Sequence, residues 1–143
     1  MKVRSATEAD FEGIGDVDLT LVLDPRRLAR IEEALHRGDL VVAEDHRRIA
    51  GVMDLHHLFF GQTFVSLVAV HPDHRRQGIA TALLAEAAAR ARGDRLFVST
   101  VASHPVMHQL LEKNGFLRAG EMQHIDPGET EVFYVRYLGE PGN

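Results

Sequence analysis

Apolar positions in this chain change period several times, and each change marks an element. Over 25–37, Leu28, Ile31, Ala34 and Leu35 recur at helical spacing behind Pro25, and Gly38 follows His36-Arg37 as a stop, which predicts a helix. Over 79–91, Ile79, Ala80, Leu83, Leu84, Ala87, Ala88 and Ala91 recur at three and four spacing, with Glu86, Arg90 and Arg92 opposite and Gly93 as the stop. This is the clearest helix in the chain. Pro105 opens a third, striped by Val106, Leu110 and Leu111 and ended by Asn114-Gly115. Near the N-terminus, Thr7-Glu8-Ala9-Asp10 has the form of a capping box after a short strand over 3–6. Gly13 and Gly15 interrupt the helix it would open, and Asp24-Pro25 begins something new, so that first helix is not extended beyond Val17.

The remaining apolar runs are short and rich in β-formers. Residues 40–44 and 49–60 flank Asp45-His46-Arg47-Arg48, a polar hairpin turn, and Gly61-Gln62 turns the chain into 63–70, giving three consecutive antiparallel strands. The run Leu96-Phe97-Val98-Ser99-Thr100-Val101 reads as a strand with both faces covered, close enough behind the long helix for a β-α-β crossover. Two last strands, 116–125 and 131–138, flank an Asp126-Pro127-Gly128 turn. The order β-α-α-β-β-β-α-β-α-β-β predicts an α+β domain with a mixed sheet and helices on both faces.

With 143 residues, 45% of them hydrophobic, the chain can bury one sizeable core, and nothing in it marks a second domain. A single domain is expected over 1–138, with a frayed tail at 139–143. Sixteen Lys and Arg against 21 Asp and Glu leave a net charge of −5, so no bulk attraction to nucleic acid is expected. The absence of Cys excludes a disulfide framework, a thiolate nucleophile and Cys-bound zinc. No apolar run is long enough to cross a bilayer, and Met1-Lys2-Val3-Arg4-Ser5 leads into polar residues without a signal-like core, so a cytoplasmic location with no membrane partner is expected.

One segment carries chemistry. Between the strand ending at Val70 and the long helix lies His71-Pro72-Asp73-His74-Arg75-Arg76-Gln77-Gly78-Ile79-Ala80-Thr81. Unpaired backbone N–H groups at a helix start, a Gly allowing close approach and two guanidinium groups are what a phosphate site needs. The segment matches neither a Walker loop nor a dinucleotide fingerprint. Its residues alone indicate an anion site.

The longer stretch Val68-Ala69-Val70-His71-Pro72-Asp73-His74-Arg75-Arg76-Gln77-Gly78-Ile79-Ala80-Thr81-Ala82-Leu83-Leu84 resembles the signature of the GNAT superfamily of acyl-CoA-dependent N-acetyltransferases. Arg75-x-x-Gly78-x-Ala80 sits on that family's Arg/Gln-x-x-Gly-x-Gly/Ala core. A second stretch, Leu96 to Val101, then Pro105 and Leu111-Glu112-Lys113-Asn114-Gly115-Phe116, resembles its strand, capped helix and Tyr-Glu-Lys-x-Gly-Phe ending. The resemblance implies a mostly antiparallel sheet with a splayed parallel pair ending at Val70 and Val101, and acetyl-CoA as acyl donor. It further implies that backbone groups of Val68, Ala69 and Val70 pair with the pantetheine arm. The N–H groups of Arg76, Gln77, Gly78, Ile79, Ala80 and Thr81 would hold the pyrophosphate beside Arg75. His104, standing where an Asn is common ahead of the last helix, is a further cofactor-binding residue that the resemblance implies.

Two positions depart from the family pattern. Leu111 occupies the place of a Tyr that protonates the leaving thiolate, and Phe64 the place of a general-base Glu. A lysine-like amine still has to lose a proton, which costs about 4 to 5 kcal/mol at pH 7 without help. Glu44, Asp54, His56 and His57 are the candidates to accept it, and Ser66 or His108 could assist the thiolate. His56 and His57 should point to opposite sheet faces, so one at most lines a cleft. Tyr134 and Tyr137 could act as acids, yet aromatic residues in such a strand are more often packing. His104 with His108, and His71 with His74, have spacings seen in metal sites, but nine scattered His make this weak, and no metal is expected. Phe59-Phe60 reads as core or an edge contact rather than a substrate clamp, and such an exposed strand pair can serve a homodimer. The function expected is acetyl transfer from acetyl-CoA to a small-molecule or peptide primary amine by direct attack. The alternative is a non-catalytic acyl-CoA-binding sensor on the same fold.

Overall fold

Asp18 explains the first difference between pattern and structure. In the computed structural model, which describes residues 1–139, Asp18 is extended (φ −156°) and ends α1 (Phe11–Val17). Its Oδ1 then accepts from the Thr20 N–H at 2.9 Å and starts a separate short helix, α2 (Thr20–Leu23). The remaining elements are β1 (Lys2–Ser5), α3 (Pro25–Arg37), β2 (Leu40–Asp45), β3 (Arg48–Phe59), β4 (Gln62–Val70), α4 (Ile79–Arg90), β5 (Arg95–Val101), α5 (Pro105–Lys113), β6 (Leu117–Gln123) and β7 (Thr130–Tyr137). Short 3-10 turns lie at Glu8–Asp10 and Pro72–His74. The strands form one seven-stranded sheet in the order β1-β2-β3-β4-β5-β7-β6, with β4 and β5 parallel and the pairs β1/β2, β2/β3, β5/β7 and β6/β7 antiparallel. The mixed α+β class expected from the sequence is what forms. Most of the expected tail, 140–143, lies outside the described residues.

Contacts divide the chain into two compact units, Met1–Leu55 with Val68–Glu86, and His56–Leu67 with the chain from Ala87 on. In the first, α3 follows the local rules. Asp24 caps it by accepting from the Arg26 N–H (3.0 Å), Pro25 fills its first turn, and Gly38 ends it with φ +79°. Ile31 and Ala34 are buried, while the first four residues of β2, Leu40 to Ala43, are all buried. That is the burial of a strand covered on both faces. The β2/β3 hairpin turns on His46 and Arg47 alone, with φ of 48° and 67°, so a two-residue turn of the left-handed kind is built here without glycine. Past it the register shifts, pairing Glu44 with Ile49 and Ala43 with Gly51, so that Ala50 is the extra residue of a bulge.

Gly51 is needed for close approach. A Cβ there would stand 2.7 Å from Ile79 Cγ2 and 3.1 Å from Leu83 Cδ1, so the missing side chain is what lets the first turn of α4 sit on β3. The second unit closes around β5, β7 and α5, with Leu96, Val98, Leu111, Phe116, Val132 and Tyr134 buried.

Candidate active site

The cofactor segment is built from β4, a turn and the start of α4. The parallel register of β4 with β5 covers Thr63 to Val65 against Leu96 to Val98 and stops there, with Ser66 to Val70 still to run. Those last five residues are half-buried, although four of them are apolar and lie in an internal strand. The His71 N–H donates to Ala50 O at 2.7 Å, which fastens the end of β4 to the bulge in β3. The His71 ring then caps the next turn, its Nδ1 accepting from the Asp73 N–H at 3.0 Å. His74 is buried beneath the loop, its ring edge-on to His71 at 5.5 Å and its Nε2 3.7 Å from Asp45. These two His are thus structural members of the turn.

Arg75, Arg76, Gln77, Gly78 and Thr81 are exposed, Ala80 is half-buried and Ile79 is buried against β3. Arg76 (φ +64°) and Gly78 (φ +78°) are both left-handed, a conformation in which successive N–H groups can form an anion-binding concavity. The loop feeds a 12-residue helix whose first N–H groups have no partner one turn earlier. Beyond Gly78 there is open space where a side chain would begin. A pyrophosphate fits this cradle: exposed N–H groups, two guanidinium groups and room at the one glycine.

The base candidates of the first unit are kept apart by register. Glu44 pairs with Ile49 at one end of the β2/β3 hairpin, whereas Asp54 pairs with Leu40 at the other. Adjacent strands therefore do not bring Glu44 and Asp54 to one point. Glu44 Oε1 already accepts from Arg4 Nε (3.0 Å) and Nη2 (2.7 Å). The same guanidinium forms a two-pronged pair with Asp10 at 2.8 and 2.9 Å, and Asp10 Oδ2 also accepts from the Thr7 N–H at 2.8 Å. Hydrogen bonding to Arg4 holds the Asp10 carboxyl below the usual carboxylate range, and Asp10 and Glu44 together raise the Arg4 pKa further. Asp54 is buried in β3.

In the second unit the two neighbouring His residues diverge as expected from strand geometry. His57 Nδ1 lies 2.9 Å from Thr63 Oγ1, which also accepts from the Arg92 N–H at 2.9 Å, so His57 belongs to the link between β4 and the chain after α4. His56 goes elsewhere, its ring edge-on to Phe64 at 5.4 Å and its Nδ1 accepting from the Leu58 N–H at 3.2 Å. That bond assigns the proton of neutral His56 to Nε2. Ser66 is half-buried in β4.

His108 sits between two groups. Its Nε2 is 3.0 Å from Val101 O, which can only accept, so Nδ1, 2.7 Å from Tyr134 Oη, accepts a hydrogen bond from the phenol O–H. Tyr134 is 1% exposed, and burial pushes its pKa up, followed by the Glu112 charge. Tyr137 is exposed, with Arg95 over its ring. His104 caps α5, its Nδ1 accepting from the Met107 N–H at 3.3 Å. Leu111 is fully buried in the core. The Arg4 pairs, the close approach at Gly51 and the His108–Tyr134 pair are features that no local pattern announced. Among the described residues no group of three or more His, Cys, Asp or Glu is placed to hold a metal ion, and no helix is long and apolar enough to cross a membrane.

Comparison with known proteins gives the family of the fold. The crystal structure of a GNAT-family acetyltransferase from Bacillus cereus ATCC 10987 is 27% identical and superposes with a TM-score of 0.84 over 97% of this chain and 98% of its own. The structure of yncA from Salmonella typhimurium with its cofactor acetyl-CoA has the same fold, at 21% identity and a TM-score of 0.74 over 100% of this chain and 96% of its own. A mycothiol acetyltransferase from Saccharomonospora viridis is 40% identical over 72 residues, 50% of this chain and 22% of that protein, so the match spans about a fifth of the curated relative. The family model described as acetyltransferase (GNAT) matches residues 7–116, from the capping box to the end of α5, and the chain belongs to that family of acyltransferases.

Proposed function

We propose that the protein transfers an acetyl group from acetyl-CoA to a primary amine of a small molecule or peptide, by direct attack within a ternary complex. The observation that carries this is the cradle at the start of α4, where Arg76 and Gly78 are left-handed and exposed beside Arg75. Acetyl-CoA supplies an activated acyl group as a thioester. The residues that would hold its pyrophosphate are Arg76 to Thr81 with Arg75, and the half-buried end of β4, Val68 to Val70, offers backbone groups to the pantetheine arm. His104 serves the site indirectly, by capping α5. With no Cys in the chain, an acyl-thiolate enzyme is not an option, and the amine attacks directly.

Asp54 and His56 are the base candidates of this reading together with Glu44, whose Oε1 accepts from Arg4. His56 can take a proton only at Nδ1, on giving up the Leu58 N–H, since its Nε2 already carries the proton. His108 can pass a proton between Tyr134 and its own ring, and Ser66 offers a hydroxyl on β4. The reading includes a cytoplasmic setting, a single domain over 1–138, homodimer formation as a further association and, from the net charge of −5, no nucleic-acid partner. The second reading, an acyl-CoA-binding sensor, is favoured by one observation. Leu111 and Phe64, where the family pattern has an acid and a base, are buried apolar residues. The test is release of free CoA from acetyl-CoA against a panel of amines. CoA that rises only with amine supports the enzyme; tight acetyl-CoA binding with no amine-dependent release supports the sensor. Asp54→Asn and His56→Ala, compared through kcat/KM against pH, then separate protein base from solvent.

A further inference from the structure

Five phenylalanine rings meet in the second unit, four from different strands, Phe59 at the end of β3, Phe64 in β4, Phe97 in β5 and Phe133 in β7, and Phe60 in the turn after β3, edge-on to Phe59 at 5.1 Å. Phe59 stacks on Phe64 with centroids 4.6 Å apart, lies within 9° of parallel to Phe133 at 5.8 Å, and meets Phe97 edge-on at 5.3 Å. His56, edge-on to Phe64 at 5.4 Å, is the titratable group in ring contact with them. Phe64 and Phe97 face each other in the register, one row before the described pairing of β4 and β5 ends. Phe64 is nearly covered, but Phe59, Phe97 and Phe133 keep part of their surface open. Aromatic surface left open this way is hydrocarbon waiting for a body to cover it.

We infer that Phe59, Phe97 and Phe133 form the specificity surface for the acceptor, and that the acceptor is a primary amine carried on a flat, apolar body. The inference rests on the acetyl-transfer reading, in which the amine of the acceptor meets an acyl group carried by acetyl-CoA. Phe64 and Ser66 share a face of β4, and that strand runs on into Val68–Val70. Two residues of strand span about 6.6 Å. A ring lying against Phe64's neighbours therefore puts an amine on a two-carbon arm at the level of Ser66. Rings from four strands locked against one another are rigid, so the surface is preorganised and rejects a slender or multiply charged acceptor that cannot cover it.

The probes are 2-phenylethylamine and ethylamine, which carry the same two-carbon arm to nitrogen with and without a ring. On wild-type protein loaded with CoA, saturation-transfer NMR should show magnetisation passing from protein aromatic protons to the ring of 2-phenylethylamine. In turnover with acetyl-CoA, kcat/KM for 2-phenylethylamine should exceed that for ethylamine by about tenfold or more. Phe133→Ala should lower the 2-phenylethylamine value about tenfold and the ethylamine value less than about twofold. If that variant does not fold, Phe133→Leu should lower the 2-phenylethylamine value about threefold and leave the ethylamine value within about twofold. No saturation transfer to 2-phenylethylamine on a protein that binds acetyl-CoA overturns the inference and leaves the transfer reading standing. A protein that fails to bind acetyl-CoA by calorimetry overturns that reading itself. A sedimenting dimer that Phe133→Ala dissociates, without saturation transfer, assigns the rings to a second copy of the chain and likewise overturns the inference.

Discussion

If the start of α4 holds a pyrophosphate, a negative charge placed at residue 78 has to be felt there. Gly78 has φ +78°, and a Cβ added to it would meet nothing within 4 Å. A side chain is therefore admitted sterically, and its backbone cost is the left-handed penalty of about 1–2 kcal/mol, smaller for Asn and Asp. Gly78→Asn and Gly78→Asp share that cost and differ by one charge. Because the loop is exposed, screening is close to that of water. A carboxylate about 6 Å from each of two phosphate charges then meets about 0.7 kcal/mol of repulsion from each, which amounts to about a tenfold loss of affinity. Calorimetric titration with acetyl-CoA should place the Asn variant within about threefold of wild type and the Asp variant about tenfold below it at about 0.01 M salt. At about 1 M salt, where the Debye length falls from about 30 Å to about 3 Å, that gap should largely close. Equal affinities of the two folded variants at low salt would refute a pyrophosphate at this loop.

Two further substitutions probe the groups with perturbed protonation. Asp10→Asn keeps the shape of the turn but weakens the two-pronged pair with Arg4, and should lower stability by about 1–3 kcal/mol at pH 7. Since Arg4 holds the Asp10 pKa down, this stabilisation is present above the ordinary carboxylate value of about 3.9 and is lost as pH falls through the depressed one. Thermal melts of wild type and variant should therefore converge in acid, and a constant difference down to about pH 2 would count against the pair. Tyr134→Phe removes the donor to His108 Nδ1 and should cost about 1 kcal/mol with kcat kept within about twofold if Tyr134 only orients His108. Burial raises the Tyr134 pKa, so the wild type should lose stability relative to the Phe variant as pH rises above about 10, and a larger loss of kcat on its alkaline limb would make the phenol a proton donor.

The fold was legible wherever a signal is local and strong. Pro25, the Ile31/Ala34 stripe and Gly38 specify α3 through neighbours in sequence, and the helix has the expected bounds. The run at 40–44 reads as a strand because its residues alternate with nothing polar, and all of Leu40 to Ala43 are buried. What the pattern missed at 18–23 is one side chain: Asp18 breaks one helix and caps the next within three residues, below the length at which apolar period is readable. The polar run 45–48 suggests a four-residue turn, yet only His46 and Arg47 lie between the strands and both take positive φ. There the pairing of β2 with β3 on either side overrides the local preference.

The anion-binding half of the site and its acid-base half differ in how they are encoded. Arg75 to Thr81 is contiguous, so the residue types and the helix start beyond them stand in one line of text, and Gly78 takes a positive φ that glycine adopts at no steric cost. The acceptor side is assembled from Phe59, Phe64, Phe97 and Phe133, which span more than seventy positions and meet only because β5 enters the sheet between β4 and β7. Nothing in any one strand distinguishes such a phenylalanine from a core residue. The same holds for Glu44, which looks like a free carboxylate in sequence until β1 brings Arg4 to it, two residues along from the Lys2–Glu44 pair and so on the same face of the strand. Groups that titrate or recognise a substrate in this chain are thus defined by sheet order, and a sequence reading that lists them without that order will include carboxylates already spent on structure. Asp54 lies at the opposite end of the same hairpin, paired with Leu40 and away from Arg4, so the pH dependence of Asp54→Asn probes a different part of the sheet from that of Glu44→Gln.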